Sequence, residues 1–102
     1  MPKTWVVAGK IQDFEEGKGK EVKVQGQAIA IFRIDQKFYG IENACYHQGS
    51  PLHDGDVKDC VVTCPAHSWK FRLESGECTR DDSIVMRTYS VKAENDDVLI
   101  LI

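Results

Sequence analysis

The chain has 102 residues, 13 Lys and Arg against 16 Asp and Glu, and a formal net charge of −3, with 42% hydrophobic and 28% charged residues. That length describes one domain, residues 1–102, and excludes an enzyme built from separate cofactor and substrate lobes. The charge balance shows no basic stripe, which argues against nucleic acid as a partner, and no unbroken apolar run is longer than Val98 to Ile102, far too short to span a membrane.

The first predicted element is a strand starting in the apolar run Thr4 to Ala8. The segment MPKTWVVAGK holds no apolar stretch long enough for a secretory signal, so a cytoplasmic location is expected. Ile11 to Gly19 is charged, carries two glycines and reads as a loop. Val22 and Val24 then alternate with Glu21, Lys23 and Gln25, the period of a half-buried strand. Gln25-Gly26 reads as a tight turn. Gln27 to Ile34 is apolar on both faces, with Ala28, Ala30, Phe32 and Ile34 on one and Ile29 and Ile31 on the other, so a strand covered on both sides is predicted. Asp35-Gln36 turns into a strand over Lys37 to Ile41.

Later in the chain, CVVT predicts a strand beginning at Cys60, and Cys78, after the Ser75-Gly76 turn, is expected to be partly exposed. Tyr89, Val91 and Ala93 alternate with Thr88, Ser90 and Lys92. Asn95 to Asp97 turns, and Val98 to Ile102 closes the chain as a strand. Many short strands separated by turn signals predict an all-β fold, an antiparallel β sandwich or small barrel, and no stretch has a convincing helical period.

Two segments break the strand pattern: Asn43 to Asp56, with Gly49, Pro51 and Gly55, and Cys64 to Trp69. Loops this long in a small domain usually carry function. Each holds a cysteine and a histidine paired at close spacing, Cys45-x-His47 and Cys64-x-x-His67, and sixteen residues separate His47 from Cys64. Four cysteines are too sparse for a disulfide scaffold, which runs at about 8–10%. Without a leader, metal binding is favoured. Thiolate and imidazole are soft to borderline donors, suited to zinc, copper or iron–sulfur and unsuited to calcium or magnesium. Structural zinc sites usually space paired ligands by about two to four residues. The single residue between Cys45 and His47 suits two neighbouring metal ions better than one.

The paired motifs CYH and CPAH resemble the Rieske iron–sulfur signature. Gly49, Pro51-Leu52, Gly55 and Phe71 support the likeness, which extends from Trp5 to the C-terminus. The resemblance implies a Rieske fold whose two loops, about 43–56 and 64–71, bind one 2Fe–2S cluster, with Cys45 and Cys64 on one iron and His47 and His67 on the other. It also implies a one-electron carrier with no catalytic residues of its own. The carrier would take electrons from a flavin-dependent reductase and pass them to a terminal oxygenase, as a monomeric shuttle, with the histidine end near solvent.

High-potential members of the family carry an extra cysteine in each loop. Here those positions are Ser50 and Ala66, so that disulfide cannot form. Where those members place Ser and Tyr as donors to sulfur, this chain has Trp69 and Phe71, and a potential near the lower end of the family range, roughly −150 mV, is expected. Trp69 and Phe71 are read either as core or as a lid, and Tyr46 either as a shield or as an exposed ring. His53 is read as a surface histidine. Asp54, Asp56 and Asp59 are read as solvated surface or as an acidic rim that steers a basic partner. A disulfide between Cys60 and Cys78 is left open. The rival functions are the small subunit of a nitrite reductase, a detached oxygenase domain, and a structural zinc module.

Overall fold

The computed structural model describes residues 3–44, 51–66 and 68–102. Its strands are β1 (Trp5–Lys10), β2 (Gly19–Val24), β3 (Gln27–Ile34), β4 (Lys37–Glu42), β5 (Asp56–Lys58), β6 (Val61–Thr63), β7 (Lys70–Arg72), β8 (Thr88–Tyr89), β9 (Val91–Glu94) and β10 (Asp97–Leu101). They form three sheets in the orders β1-β10-β9, β2-β3-β4-β8 and β5-β6-β7, with every strand pair antiparallel. The only helical turn among the described residues is 3-10, Ile11–Asp13. The fold is all-β, as the alternation predicts.

The four-stranded sheet is the middle layer, and β3 shows why. Ile29, Ala30, Ile31 and Phe32 are all fully buried. Successive side chains of a strand point to opposite faces. Ile29 and Ile31 therefore pack with Val24, Phe38, Val98 and Ile100 beneath the β1-β10-β9 sheet. Ala30 and Phe32 pack on the other side with Ile41, Leu52, Val62 and Phe71, beneath the small β5-β6-β7 sheet. One strand thus walls off two cores. Each large side chain so buried contributes about 1.5–3 kcal/mol relative to exposure.

Two-residue turns set the hairpin registers. Gln25-Gly26 (φ 51° and 79°), Asp35-Gln36 (50° and 68°), Asp59-Cys60 (53° and 62°) and Asn95-Asp96 (58° and 103°) all have positive φ at both positions. That geometry matches the right-handed twist of the strands it joins. Three of these turns are expected from sequence. The fourth corrects the expectation for Cys60: it stands in the turn, and the strand begins at Val61.

The alternation Thr88 to Ala93, read as one strand, is divided at Ser90. Tyr89 pairs with Gly40 in the middle sheet, whereas Val91 pairs with Ile100 in the outer one. The chain changes layers there, and Gly40 makes room: a β-carbon on it would stand 2.9 Å from Val91 Cγ2. The loop after β1 is also more ordered than its charge implies. Phe14 plugs into the outer core at 3% exposure, edge-on to Phe38 with ring centroids 5.8 Å apart. Arg33 Nη1 donates to the Phe14 carbonyl at 3.0 Å. Cys78 is buried at 2% exposure, contrary to expectation. It bridges Phe71 and donates its N–H to the Ile84 carbonyl at 2.9 Å, which carries it under the small sheet.

Candidate metal centre

Cys45, His47 and His67 lie outside the described residues, as do Tyr46, Gly49 and Ser50. The described frame around them places the two loops. The first leaves β4 at Glu42. The Asn43 N–H donates to the Ala28 carbonyl at 3.1 Å, tying the start of the loop to β3. The chain returns through exposed Pro51 to Leu52, which is fully buried in the inner core. The Gly55 N–H donates to the Leu52 carbonyl at 2.9 Å, closing a turn into β5. A β-carbon on Gly55 would lie 2.2 Å from the Thr63 carbonyl oxygen, so only glycine lets this turn rest directly on β6.

β6 runs straight into Cys64. That residue is 1% exposed and sits in the same core as Leu52, Val62 and Phe71. Its N–H donates to the Trp69 carbonyl at 2.7 Å, and its carbonyl accepts from the Ser68 N–H at 3.0 Å. Ser68 has φ 60°, which turns the chain back into β7. Pro65 and Ala66 form an exposed turn at the tip. The strand that delivers Cys64 therefore touches the base of the loop that carries Cys45 and His47. Cys60, Cys64 and Cys78 are free thiols.

Asn43 is a polar residue that sequence reasoning missed. It is 6% exposed, and its amide is fully used. Oδ1 accepts from the N–H of Leu52 at 2.7 Å and of His53 at 2.9 Å, while Nδ2 donates to Glu21 Oε2 at 2.7 Å and to His53 Nδ1 at 3.0 Å. Backbone amides only donate, so they fix which end of the side chain is oxygen. His53 Nδ1 is then an acceptor and its proton sits on Nε2, which lies 3.6 Å from Asp54 Oδ1. The longer 3.4 Å approach of Nδ1 to Asn43 Oδ1 meets an oxygen already serving two donors. His53 is thus half-buried and tied to the loop base, not a loose surface residue. A lone Asn before a motif has no periodicity to betray it, and its partners lie 9 to 22 positions away.

Phe71 is core at 0% exposure, whereas Trp69 is half-exposed against the same core, with the Arg80 guanidinium 5.7 Å from its ring centroid. Asp54 and Asp56 are exposed beside the first loop. Asp59 is exposed in the turn that follows β5. No helix among the described residues is long and apolar enough to cross a membrane.

The Rieske [2Fe-2S] domain model matches residues 4–90. The ferredoxin component of the naphthalene 1,2-dioxygenase/salicylate 5-hydroxylase systems of Ralstonia sp is 30% identical, over 98% of this chain and 97% of the relative. Among solved structures, the small subunit of a nitrite reductase aligns with TM-score 0.90 at 25% identity, covering 97% of this chain and 99% of that one. The ferredoxin of carbazole 1,9a-dioxygenase from Nocardioides aromaticivorans IC177 aligns with TM-score 0.88 at 23% identity, covering 95% and 96%. The two Cys/His motifs of the sequence, the family match over residues 4–90 and the likeness along nearly the whole length agree: the chain belongs to the Rieske [2Fe-2S] family, as a small electron-carrying ferredoxin homologous to the ferredoxin components of ring-hydroxylating dioxygenase systems.

Proposed function

We propose that Cys45, His47, Cys64 and His67 hold one 2Fe–2S cluster, and that this single domain carries electrons from a flavin-dependent reductase to a terminal oxygenase in the cytoplasm. The observation that carries the ligand assignment is Cys64: a free, buried thiol whose backbone is fixed on both sides, on a strand that abuts the other loop. The donor set, two thiols and two imidazoles, fits this centre, and the single residue between Cys45 and His47 is short for placing both on one tetrahedral ion. Held by these residues, the cluster would supply one-electron transfer, and two neutral imidazoles in place of two thiolates would set its potential above the roughly −400 mV of an all-cysteine centre.

The chain's own residues do the rest. Leu52, Val62 and Phe71, all fully buried, exclude water from the inner side of the loops. Phe71 carries no hydroxyl and Trp69 only an indole N–H, so neither supplies the hydroxyl donors of high-potential relatives, which supports a potential at the low end of the range. Pro51, Pro65 and Ala66, exposed and uncharged beside the two motifs, support a monomer that meets its partners in turn at this end of the domain. Exposed Asp54 and Asp56 after the first motif favour a basic partner.

The fold likeness at TM-score 0.90 supports a second reading, the small subunit of a nitrite reductase. One experiment separates the two. Purified chain, a flavin-dependent reductase and NADH are combined with a ring-hydroxylating oxygenase or with a nitrite reductase large subunit. The carrier reading expects uptake of one electron per chain and hydroxylated product only when the chain is present. Nitrite-dependent turnover without hydroxylation would establish the second reading.

A further inference from the structure

The amide of Asn43 does more than satisfy itself. Its oxygen holds the two backbone N–H groups at the far end of residues 44–51, its nitrogen holds Glu21 on β2, and its own backbone N–H holds β3. One side chain therefore joins both ends of an eight-residue loop to the middle sheet. A buried amide is costly unless every donor and acceptor is matched, and here Leu52 and His53 after the loop and Glu21 on the sheet match them all. Nothing in a simple turn requires the Glu21 contact, which crosses 22 positions of sequence.

We propose that Asn43 is the positioning residue of the metal centre, with Glu21 and His53 as its partners, and that it fixes the loop bearing Cys45 and His47 against the middle sheet. The inference rests on the ligand reading above. Asn43 acts through the backbone of Leu52 and His53. Second-layer contacts of this kind are worth about 10- to 100-fold in metal retention.

The test uses the cluster-loaded protein and follows bleaching of its visible absorbance under excess iron chelator, together with amide hydrogen exchange at Leu52 and His53. Asn43→Ala should lose protection at both amides and bleach about 10- to 100-fold faster than wild type. Asn43→Asp keeps the acceptor oxygen but sets a carboxylate against Glu21, and it should also bleach faster. Adding Glu21→Gln to Asn43→Asp exchanges donor for acceptor, with the His53 ring proton carried on Nδ1 to donate to the same carboxylate oxygen, and should restore slow bleaching and the wild-type visible circular dichroism. Val98→Ala, in the outer core, destabilises the fold remote from the loop and should bleach at the wild-type rate.

The proposal is overturned if Asn43→Ala bleaches at the wild-type rate, if Val98→Ala bleaches as fast as Asn43→Ala, or if Glu21→Gln gives no rescue. Should Asn43→Ala not fold, the Asp and Asp/Gln pair decides. A wild-type protein that takes up no cluster overturns the ligand reading instead, and is recognised before any variant is made.

Discussion

Gly55→Ala places a methyl carbon 2.2 Å from the Thr63 carbonyl oxygen, 2.9 Å from Val62 Cγ2 and 3.1 Å from the Leu52 carbonyl oxygen. Restoring ordinary contact requires the turn and β6 to part by about 1 Å. β6 is a poor candidate to move, because it pairs with β5 on one side and β7 on the other. Overpacking against such a pinned strand costs about 1–3 kcal/mol, and the rigidity here places it near 3 kcal/mol. For a domain of this size that lowers the melting temperature by roughly 15 °C. Gly17→Ala is the control: no atom lies within 4 Å of its β-carbon, and its φ of 77° costs about 1 kcal/mol through backbone strain alone. Thermal unfolding followed by far-ultraviolet circular dichroism compares the two. The close seating of the first loop on the Cys64 strand is refuted if Gly55→Ala melts no lower than Gly17→Ala.

Three further outcomes are expected. The wild-type midpoint potential should lie near −150 mV, and Phe71→Tyr should raise it by about 60 mV, the equivalent for one electron of a hydrogen bond worth about 1.5 kcal/mol; a wild-type midpoint above about +100 mV, or an unmoved variant, contradicts this. Asp81 accepts from Ser83 Oγ at 2.6 Å and Ser83 N at 3.0 Å, and the hydroxyl contact is the first cause holding its carboxyl below the usual range. The turn's contribution is therefore present above the ordinary carboxylate pKa and lost as pH falls through the lowered one. A nuclear magnetic resonance titration should find that pKa moving up toward the usual value in Ser83→Ala, and an unmoved value refutes the assignment. Burial pushes the Cys60 thiol up, opposed by the hydrogen bond from Tyr39. Iodoacetamide labelling of Cys60, read by peptide mass spectrometry against pH, should have its midpoint above the ordinary thiol value of about 8.5, and Tyr39→Phe should move it higher; a midpoint below that value overturns the account.

Much of the frame was legible because it follows from short-range rules. The two-sided apolar run of Gln27–Ile34 marks β3 as the shared wall, and Gln25-Gly26 and Asp35-Gln36 mark its turns. Other features depend on contacts that no local pattern records. β5 and β7 have three residues each, too few to display a period of two, so the small sheet was invisible apart from its Val61–Thr63 centre. Thr88 to Ala93 alternates perfectly across a change of sheet, because side-chain period is blind to which neighbour a strand pairs with. Cys78 looked peripheral until its bridge to Phe71 carried it into the core. At the site, residue types and spacing marked Cys64 as a candidate ligand, but the hydrogen bonds joining Asn43, Glu21 and His53 needed coordinates to be seen.

The most direct test is the metal itself. Freshly purified protein should contain two irons and two acid-labile sulfides per chain. After dithionite reduction it should give an electron paramagnetic resonance signal with average g below the free-electron value. That signal should vanish on separate replacement of Cys45, His47, Cys64 or His67 by alanine. A colourless chain that holds zinc, or that holds neither iron nor sulfide after anaerobic reconstitution, would contradict the account.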